Sequence, residues 1–296
     1  MGRPLGSKNK SKNGVAIVKL GMKATKVADS PVVDTRTDDQ IVETISERFN
    51  IYFEMVKGAA DGDITALVCS GSAGVGKTYT ASWALNHIRE TQEGFRWKQI
   101  NGAASALGLY MTAYDFRHKG NVIVLDDADR VFDDEESLNI LKVLLDTSVE
   151  RTVSWCTDNA IFKGDSSIPR EFVYNGSMVF LTNKDFQEYI DKGTGRYVEH
   201  MEALMSRSIY LDLKMHVRRE VALWAGHIVR RNKVLQGPPM YLDRDQEEDA
   251  VNWVLNRRDD LREMSIRTIL KVGKLMKRFP GEWERAAELV LLREAR

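Results

Sequence analysis

From Thr37 onward, apolar residues return at three- and four-residue steps: Ile41, Ile45, Phe49, Tyr52 and Val56. That period predicts an amphipathic helix, which Asp61-Gly62-Asp63 ends. Beyond it, short apolar runs alternate with amphipathic segments. Strands are expected over Ile64–Cys69, Phe95–Ile100, Asn121–Leu125, Met178–Thr182 and Ser208–Leu213. Between them, helices are expected over Lys77–Thr91, Ala103–His118 and Glu135–Thr147. Strands separated by helices predict an α/β fold with a parallel, doubly wound sheet. The stretch 148–177 breaks the pattern. Val153-Ser154-Trp155 is a candidate extra strand there, and the remainder reads as an inserted loop.

After Lys214 only helical periodicity remains. Candidates are His216–Arg231, Gln246–Arg257, Ser265–Lys277 and Gly281–Leu292, with Gly237-Pro238-Pro239 breaking the first from the second. Trp224, Trp253 and Trp283 sit among apolar neighbours and are expected in the core of this helical part. The organisation expected is a tail over 1–36, an α/β domain over 37–214 and a small all-helical domain over 215–296.

Charge changes the picture at the amino terminus. The chain has 43 Lys+Arg and 43 Asp+Glu, a formal net charge of zero. Residues 1–28 hold seven of the cations (Arg3, Lys8, Lys10, Lys12, Lys19, Lys23 and Lys26) and no acid. Forty-three basic residues less these seven leaves 36 against 43 acids. A basic, Gly- and Asn-rich tail too poor in large apolar residues to fold is thus joined to an acidic body. Its expected partner is an acidic polymer or a charged surface. No apolar run reaches the length that spans a bilayer, so no membrane role is expected. The two cysteines, Cys69 and Cys156, have no Cys/His cluster of zinc spacing around them, which excludes a disulfide scaffold and predicts a cytoplasmic protein.

Candidate chemistry begins at Gly71-Ser72-Ala73-Gly74-Val75-Gly76-Lys77-Thr78, which fits G-x-x-x-x-G-K-[ST] between an expected strand and an expected helix. Glycines let backbone N–H groups turn inward on phosphate oxygens, and the helix start adds positive potential. Lys77 is expected to reach the β- and γ-phosphates, and Thr78 to ligate Mg²⁺. The second signal is Val122-Ile123-Val124-Leu125-Asp126-Asp127, a buried strand that ends in two carboxylates. Asp126 is expected in the Mg²⁺ shell and Asp127 as the general base for water. Third, Met178–Thr182 ends at Asn183, on the sheet edge where ligands of parallel sheets bind. Asn183 is a candidate to orient the attacking water, though Thr-Asn also suits a plain turn. Fourth, Arg207 in Ser206-Arg207-Ser208 is either a helix-end cation or the donor of charge to a neighbouring subunit's γ-phosphate. Arg196 and Arg170 are the alternatives for that task. Fifth, Arg267 follows Ser265-Ile266 at the start of an expected helix.

In this order the motifs resemble an AAA+ ATPase, over roughly residues 37–280, and most closely its clamp-loader and helicase-loader side. The resemblance implies a P-loop NTPase core with a small helical lid, ATP and Mg²⁺ as cofactors, and a homo-oligomeric ring or spiral. By resemblance Gly71–Thr78 is Walker A, Val122–Asp127 Walker B, Asn183 sensor 1, Arg207 the arginine finger and Arg267 sensor 2. One departure is plain. The family's Walker B ends Asp-Glu, whereas here it ends Asp126-Asp127, a methylene shorter, which implies slow hydrolysis or hydrolysis that waits on a partner.

The tail, Met1-Gly2-Arg3-Pro4-Leu5-Gly6-Ser7-Lys8-Asn9-Lys10, resembles an AT-hook. That resemblance implies insertion of Arg3-Pro4 into the narrow minor groove of A·T-rich DNA, with Lys8 and Lys10 on phosphates. The initiator Met occupies the place of the motif's first Arg. Such a tail on such an ATPase resembles proteins of tailed bacteriophages, hence action in a host cytoplasm. The function expected is ATP-driven work on DNA or a DNA-bound complex, with a replication or recombination protein as partner. The alternative is an AAA+ protein remodeller, which needs an aromatic pore loop; Leu107, Leu109 and Tyr110 are the only candidates, in a segment that reads as helix. Lys271, Lys274, Lys277 and Arg278 recur on one helix face, the pattern of a solvated surface, with DNA contact as the alternative.

Overall fold

The computed structural model describes residues 34–148, 150–156, 168–193 and 198–293. The tail residues Arg3, Pro4, Lys8 and Lys10, and also Arg196, lie outside these. Residues Thr37–Arg296 form one compact unit.

Helix α1 (Asp38–Asp61) opens with a capping box. The Gln40 N–H donates to Thr37 Oγ1 at 3.2 Å and the Thr37 N–H donates to Gln40 Oε1 at 2.9 Å. Gly62 ends it in the left-handed conformation, and the expected stripe of Ile41, Ile45, Phe49, Tyr52 and Val56 is the buried face. There follow β1 (Ala66–Ser70), α2 (Lys77–Thr91), β2 (Trp97–Asn101), α3 (Ala106–Asp115), β3 (Val122–Asp126), a 3₁₀ turn (Asp129–Asp133) and α4 (Glu135–Leu144). A short antiparallel pair, β4 (Thr152–Ser154) and β5 (Glu171–Val173), precedes β6 (Ser177–Thr182). Then come α5 (Phe186–Lys192), α6 (Val198–Arg207) and β7 (Ile209–Asp212).

The main sheet runs β2-β3-β6-β1-β7, and every pairing in it is parallel. This is the expected α/β core, a parallel sheet flanked by helices. Period-two burial assigns its faces. Ala66, Val68, Ile123, Leu125, Met178 and Phe180 point to the side of α3, α4 and α6. Leu67, Cys69, Val122, Val124, Val179 and Leu181 point to the side of α1 and α2. Both faces are covered, so the central strands β3, β6 and β1 are buried along their whole length.

The helical C-terminal portion comprises α7 (Arg218–Asn232), α8 (Arg244–Asn256), α9 (Ile266–Arg278) and α10 (Trp283–Leu291). Its core holds Val229, Trp253, Val254, Ile269, Val272 and Leu291. Trp253 and Trp283 meet there edge to face at 6.3 Å. Trp224 departs from expectation. It stacks on Phe49 of α1, with ring centroids 4.6 Å apart, and belongs to the core beneath the sheet.

The structure also moves several expected boundaries. Strand β1 starts at Ala66, because the Ile64 N–H still donates to Gly58 O and closes the end of α1. Helix α3 starts late because Ser105 caps it, its hydroxyl accepting from the Gly108 N–H at 3.1 Å. Helix α4 stops at Leu144, and the Asp146 carboxylate turns the chain by accepting from the Ser148 N–H. Within 148–177 the candidate strand is real, shifted to Thr152–Ser154 and paired with Glu171–Val173. That hairpin packs on α3 through Phe172, which meets Tyr110 and Tyr114 edge to face. Helix α5 had no sequence expectation. At 7 residues it is too short to show a period, and the Asp185 side chain caps it.

Among the described helices none is long and apolar enough to cross a membrane. Cys69 lies fully buried and burial pushes its thiol well above the usual range, whereas Cys156 is exposed. In the folded protein at pH 8, one thiol equivalent should react with a chromogenic disulfide reagent, and the second only after denaturation. Rapid reaction of both would place Cys69 outside this core.

Candidate nucleotide site

The sheet register builds the site. Ser70 pairs with Thr182 on one side and Asp212 on the other, while Asp126 pairs with Leu181 and Asn101. Five strand ends therefore finish almost level, and the loops after β1, β3 and β6 converge on one edge. The loop after β1 is Gly71–Gly76. Gly74 (φ +71) and Gly76 (φ +110) hold left-handed conformations that let the chain curl back before α2 begins. At Gly74 a Cβ would also meet Ser265 Cβ at 2.8 Å, so backbone shape and close approach both require glycine.

Lys77 is buried at the start of α2. Its ammonium donates to Gly71 O at 2.7 Å, Ser72 O at 3.0 Å and Asn183 Oδ1 at 2.9 Å, which uses all three of its protons. Asn183 Nδ2 then donates to Asp127 Oδ1 at 2.8 Å. Beside this chain Thr78 Oγ1 donates to Asp126 Oδ2 at 2.9 Å. Residues from three separated segments thus form one polar network. Burial lowers the Lys77 pKa, against the opposing charges of Asp127 and Asp126. Burial likewise raises the Asp126 pKa, opposed chiefly by the Thr78 hydrogen bond. Asp127 takes φ +50, a left-handed conformation that short polar side chains tolerate, and its N–H donates to Leu181 O at 3.2 Å.

Several members of the site were not foreseen. Gln99 on β2 donates to Asp126 Oδ2 at 3.0 Å and to Asn101 Oδ1 at 2.7 Å, while Ser82 of α2 donates to Gln99 Oε1 at 3.2 Å. Asp126 therefore accepts from both Thr78 and Gln99. Thr182 Oγ1 donates to Asp129 Oδ1 at 2.9 Å; burial raises the pKa of this carboxyl and the Thr182 hydrogen bond opposes it. The sequence signal for Gln99 is weak, since Lys98, Gln99 and Asn101 are all polar on this short strand.

The loop is also held from behind. The Ile266 N–H donates to Gly74 O at 3.1 Å, Trp224 Nε1 to Val75 O at 2.9 Å and Tyr52 Oη to Lys77 O at 3.1 Å. Three carbonyls in and just after the loop are fixed by α9, α7 and α1, none adjacent in sequence.

Arg267 and Arg207 have different surroundings. Arg267 lies in the first turn of α9, its Cδ 3.8 Å from where a Cβ on Gly74 would stand. Its charge lowers the pKa of both Lys77 and Asp126. Arg207 ends α6, at the opposite edge of the sheet, where Ile209 pairs with Leu67 near the start of β1. Strand rise puts it roughly 15 Å or more from the loop that follows Ser70. There Arg207 Nη1 donates to Ala203 O at 2.9 Å and Nε contacts Asp146 Oδ2 at 3.4 Å. Arg170 immediately precedes β5 in the hairpin. A cavity of about 330 Å³ opens beside the loop, lined by Ser72, Asn183, Lys184, Asp185, Tyr189 and Lys214 among others.

Trp224→Phe keeps the stack on Phe49 and leaves the Val75 carbonyl buried without its donor. It should lower the unfolding free energy by about 1–3 kcal/mol in urea titration. An unchanged midpoint and slope would show that the indole N–H contributes nothing.

No profile of a known protein family matches the chain. Among solved structures it is similar to AMPPCP-bound DnaA from Aquifex aeolicus, at 15% identity and TM-score 0.49, covering 82% of this chain and 66% of that one. It is also similar to Drosophila ORC bound to DNA, at 11% identity and TM-score 0.47, over 96% of this chain and 70% of that one. A protein of Enterobacteria phage T4, described as an uncharacterized 36.7 kDa protein in the nrdC-mobD intergenic region, is 35% identical over 244 residues, 82% of this chain and 73% of that protein. By that identity and coverage, the chain belongs to the family of the phage T4 36.7 kDa protein.

Proposed function

We propose that this chain is a phage-type, Mg²⁺-dependent AAA+ ATPase that assembles as a homo-oligomeric ring or spiral and acts on DNA or a DNA-bound complex in the host cytoplasm. Replication, helicase loading, and recombination or transposition support all fit that reading. The observation that carries it is the network from Lys77 through Asn183 to Asp127, next to the Thr78–Asp126 pair, on one sheet edge.

Each residue has a task that its surroundings support. Gly71, Ser72, Ala73, Gly74, Val75 and Gly76 would wrap the phosphates with backbone N–H groups. Lys77 would exchange a carbonyl partner for a phosphate oxygen. Asp127 would take the proton of the attacking water, held in place by Asn183. Thr78 and Asp126 would hold Mg²⁺. Hard oxygen donors suit that ion, which keeps several waters and takes substrate phosphates as further ligands. Among the described residues no cluster of three or more His, Cys, Asp or Glu could hold a metal. Two protein ligands with phosphate and water are consistent with that. Bound there, the ion would neutralise charge developing between the β- and γ-phosphates.

Arg267 would approach the triphosphate within its own subunit, and Arg207 that of a neighbour. The distance between Arg207 and its own loop supports the second assignment. Arg3, Pro4, Lys8 and Lys10 would bind A·T-rich duplex as an incomplete AT-hook. The protein-remodelling alternative has less support, since Leu107, Leu109 and Tyr110 all lie in helix α3, with Leu109 and Tyr110 buried and Leu107 partly so.

The direct test is steady-state ATP hydrolysis with and without A·T-rich duplex, for the full-length protein and for one beginning at Asp34. Stimulation by DNA that disappears with the tail is expected; absence of ATP hydrolysis under every condition would defeat the proposal. Asp127→Asn keeps the left-handed backbone and removes the base. It should cut kcat about 10²–10⁴-fold with ATP affinity nearly unchanged. Equal activity in this variant would remove Asp127 from the reaction. Arg207→Ala should lose activity at concentrations where the protein assembles, and mixing with Lys77→Ala should partly restore it. In one of the two orientations of a mixed interface, the intact loop of an Arg207→Ala subunit then meets the intact Arg207 of a Lys77→Ala subunit.

A further inference from the structure

Helix α9 carries a row of cations of which only the first, Arg267, has a task in the nucleotide chemistry proposed above. Arg267, Lys271, Lys274 and Arg278 follow at steps of four, three and four, which places them within about 60° of one another around the axis. They line up over roughly 16 Å of helix. All four are exposed. The opposite face is locked in the lid core by Thr268, Ile269, Val272 and Met276, and a Cβ on Gly273 would meet Leu235 at 2.8 Å. The helix cannot turn the cations inward.

Their charge is largely uncompensated. Lys271 pairs with Glu263 at 2.8 Å, an ion pair about half exposed on both sides and so a weak one. Lys274 and Arg278 have no hydrogen bond or ion pair among the described residues. Lys277 turns off the row toward Pro239 O and the ring of Tyr241. The row stands on a body with more acids than bases, so composition alone does not account for it.

We propose that this row is a docking track for the sugar-phosphate backbone of DNA, running from the nucleotide site outward along the lid. The proposal rests on the DNA-directed reading above and gives it a surface in the folded body, separate from the tail. A straight line of cations 4.5–6 Å apart in rise suits a linear polyanion, at about one phosphate per 3.4 Å of axis on each strand. A bilayer is the poorer fit. An interfacial helix must offer its apolar face to lipid, and that of α9 is spent on the lid core. Because Arg267 heads the row beside Gly74, phosphate held farther along would sit on the same rigid helix that contacts the loop.

The test uses full-length K274Q/R278Q and the charge-conserving K274R/R278K. Duplex affinity is measured at several salt concentrations, beside basal ATP hydrolysis. The neutral pair should reduce the slope of log K against log salt by about 2, with weaker binding at low salt. K274R/R278K should restore both, and basal hydrolysis should stay unchanged in each. An unchanged slope and affinity would overturn the track, as would an unmodified protein that binds no duplex at 50 mM salt. Binding to phosphatidylserine vesicles that falls with K274Q/R278Q while duplex binding holds would overturn it too. Duplex binding that depends on the row in a protein without ATP hydrolysis would leave the track standing and defeat only the ATPase reading.

Discussion

The parallel seating of β6 between β1 and β3 is the constraint on which everything else depends. It sets Thr182 level with Ser70 and Leu181 level with Asp126. A slip of one residue would turn each side chain to the other face of the sheet. It would also carry Asn183 away from Lys77 and Asp127, which it now touches at 2.9 and 2.8 Å. The register is protected by burial on both faces, since Phe180 must meet Phe132 on one side while Leu181 fills the core on the other. Packing that looks purely structural therefore fixes the distances on which chemistry at the strand ends would depend.

The second organising element is the support behind the loop. A loop of glycines gains freedom in the unfolded chain and offers few side chains to hold it. Here the restraint comes from donors on α1, α7 and α9, aimed at the carbonyls of Lys77, Val75 and Gly74. Two of the three helices belong to the C-terminal helical portion, so the lid is part of the scaffold that shapes the loop. A shift of α7 or α9 would be felt at the backbone of the glycine loop without any intermediary.

Much of the fold was legible because it is local or periodic. The stripe Ile41–Val56, the apolar run Val122–Leu125 and the loop Gly71–Thr78 each declare themselves within a few residues. Residues Lys77, Thr78, Asp126, Asp127 and Asn183 were legible for the same reason, and the structure brings them together. Gln99, Tyr52 and Trp224 were not, since their partners lie 27, 25 and 149 residues away along the chain. Trp224 misled in particular. Its apolar neighbours fit a lid core, yet its position is set by Phe49 and Val75. The pair β4–β5 was half seen, because three-residue strands give no period, and α5 was missed for its length.

The left-handed backbone at Asp127 bears on what a change of the second carboxylate after β3 would do. At Asp127 the chain bends through φ +50, a left-handed conformation that aspartate, asparagine and glycine adopt more readily than most residues, although Lys233 and Tyr241 also take it in this chain. Replacing Asp127 by glutamate alone would push the carboxylate a methylene farther out while leaving the turn beneath it as it is. The Asp127 N–H bond to Leu181 O ties that turn to β6, so the sheet, and not the side chain, sets where the carboxylate starts.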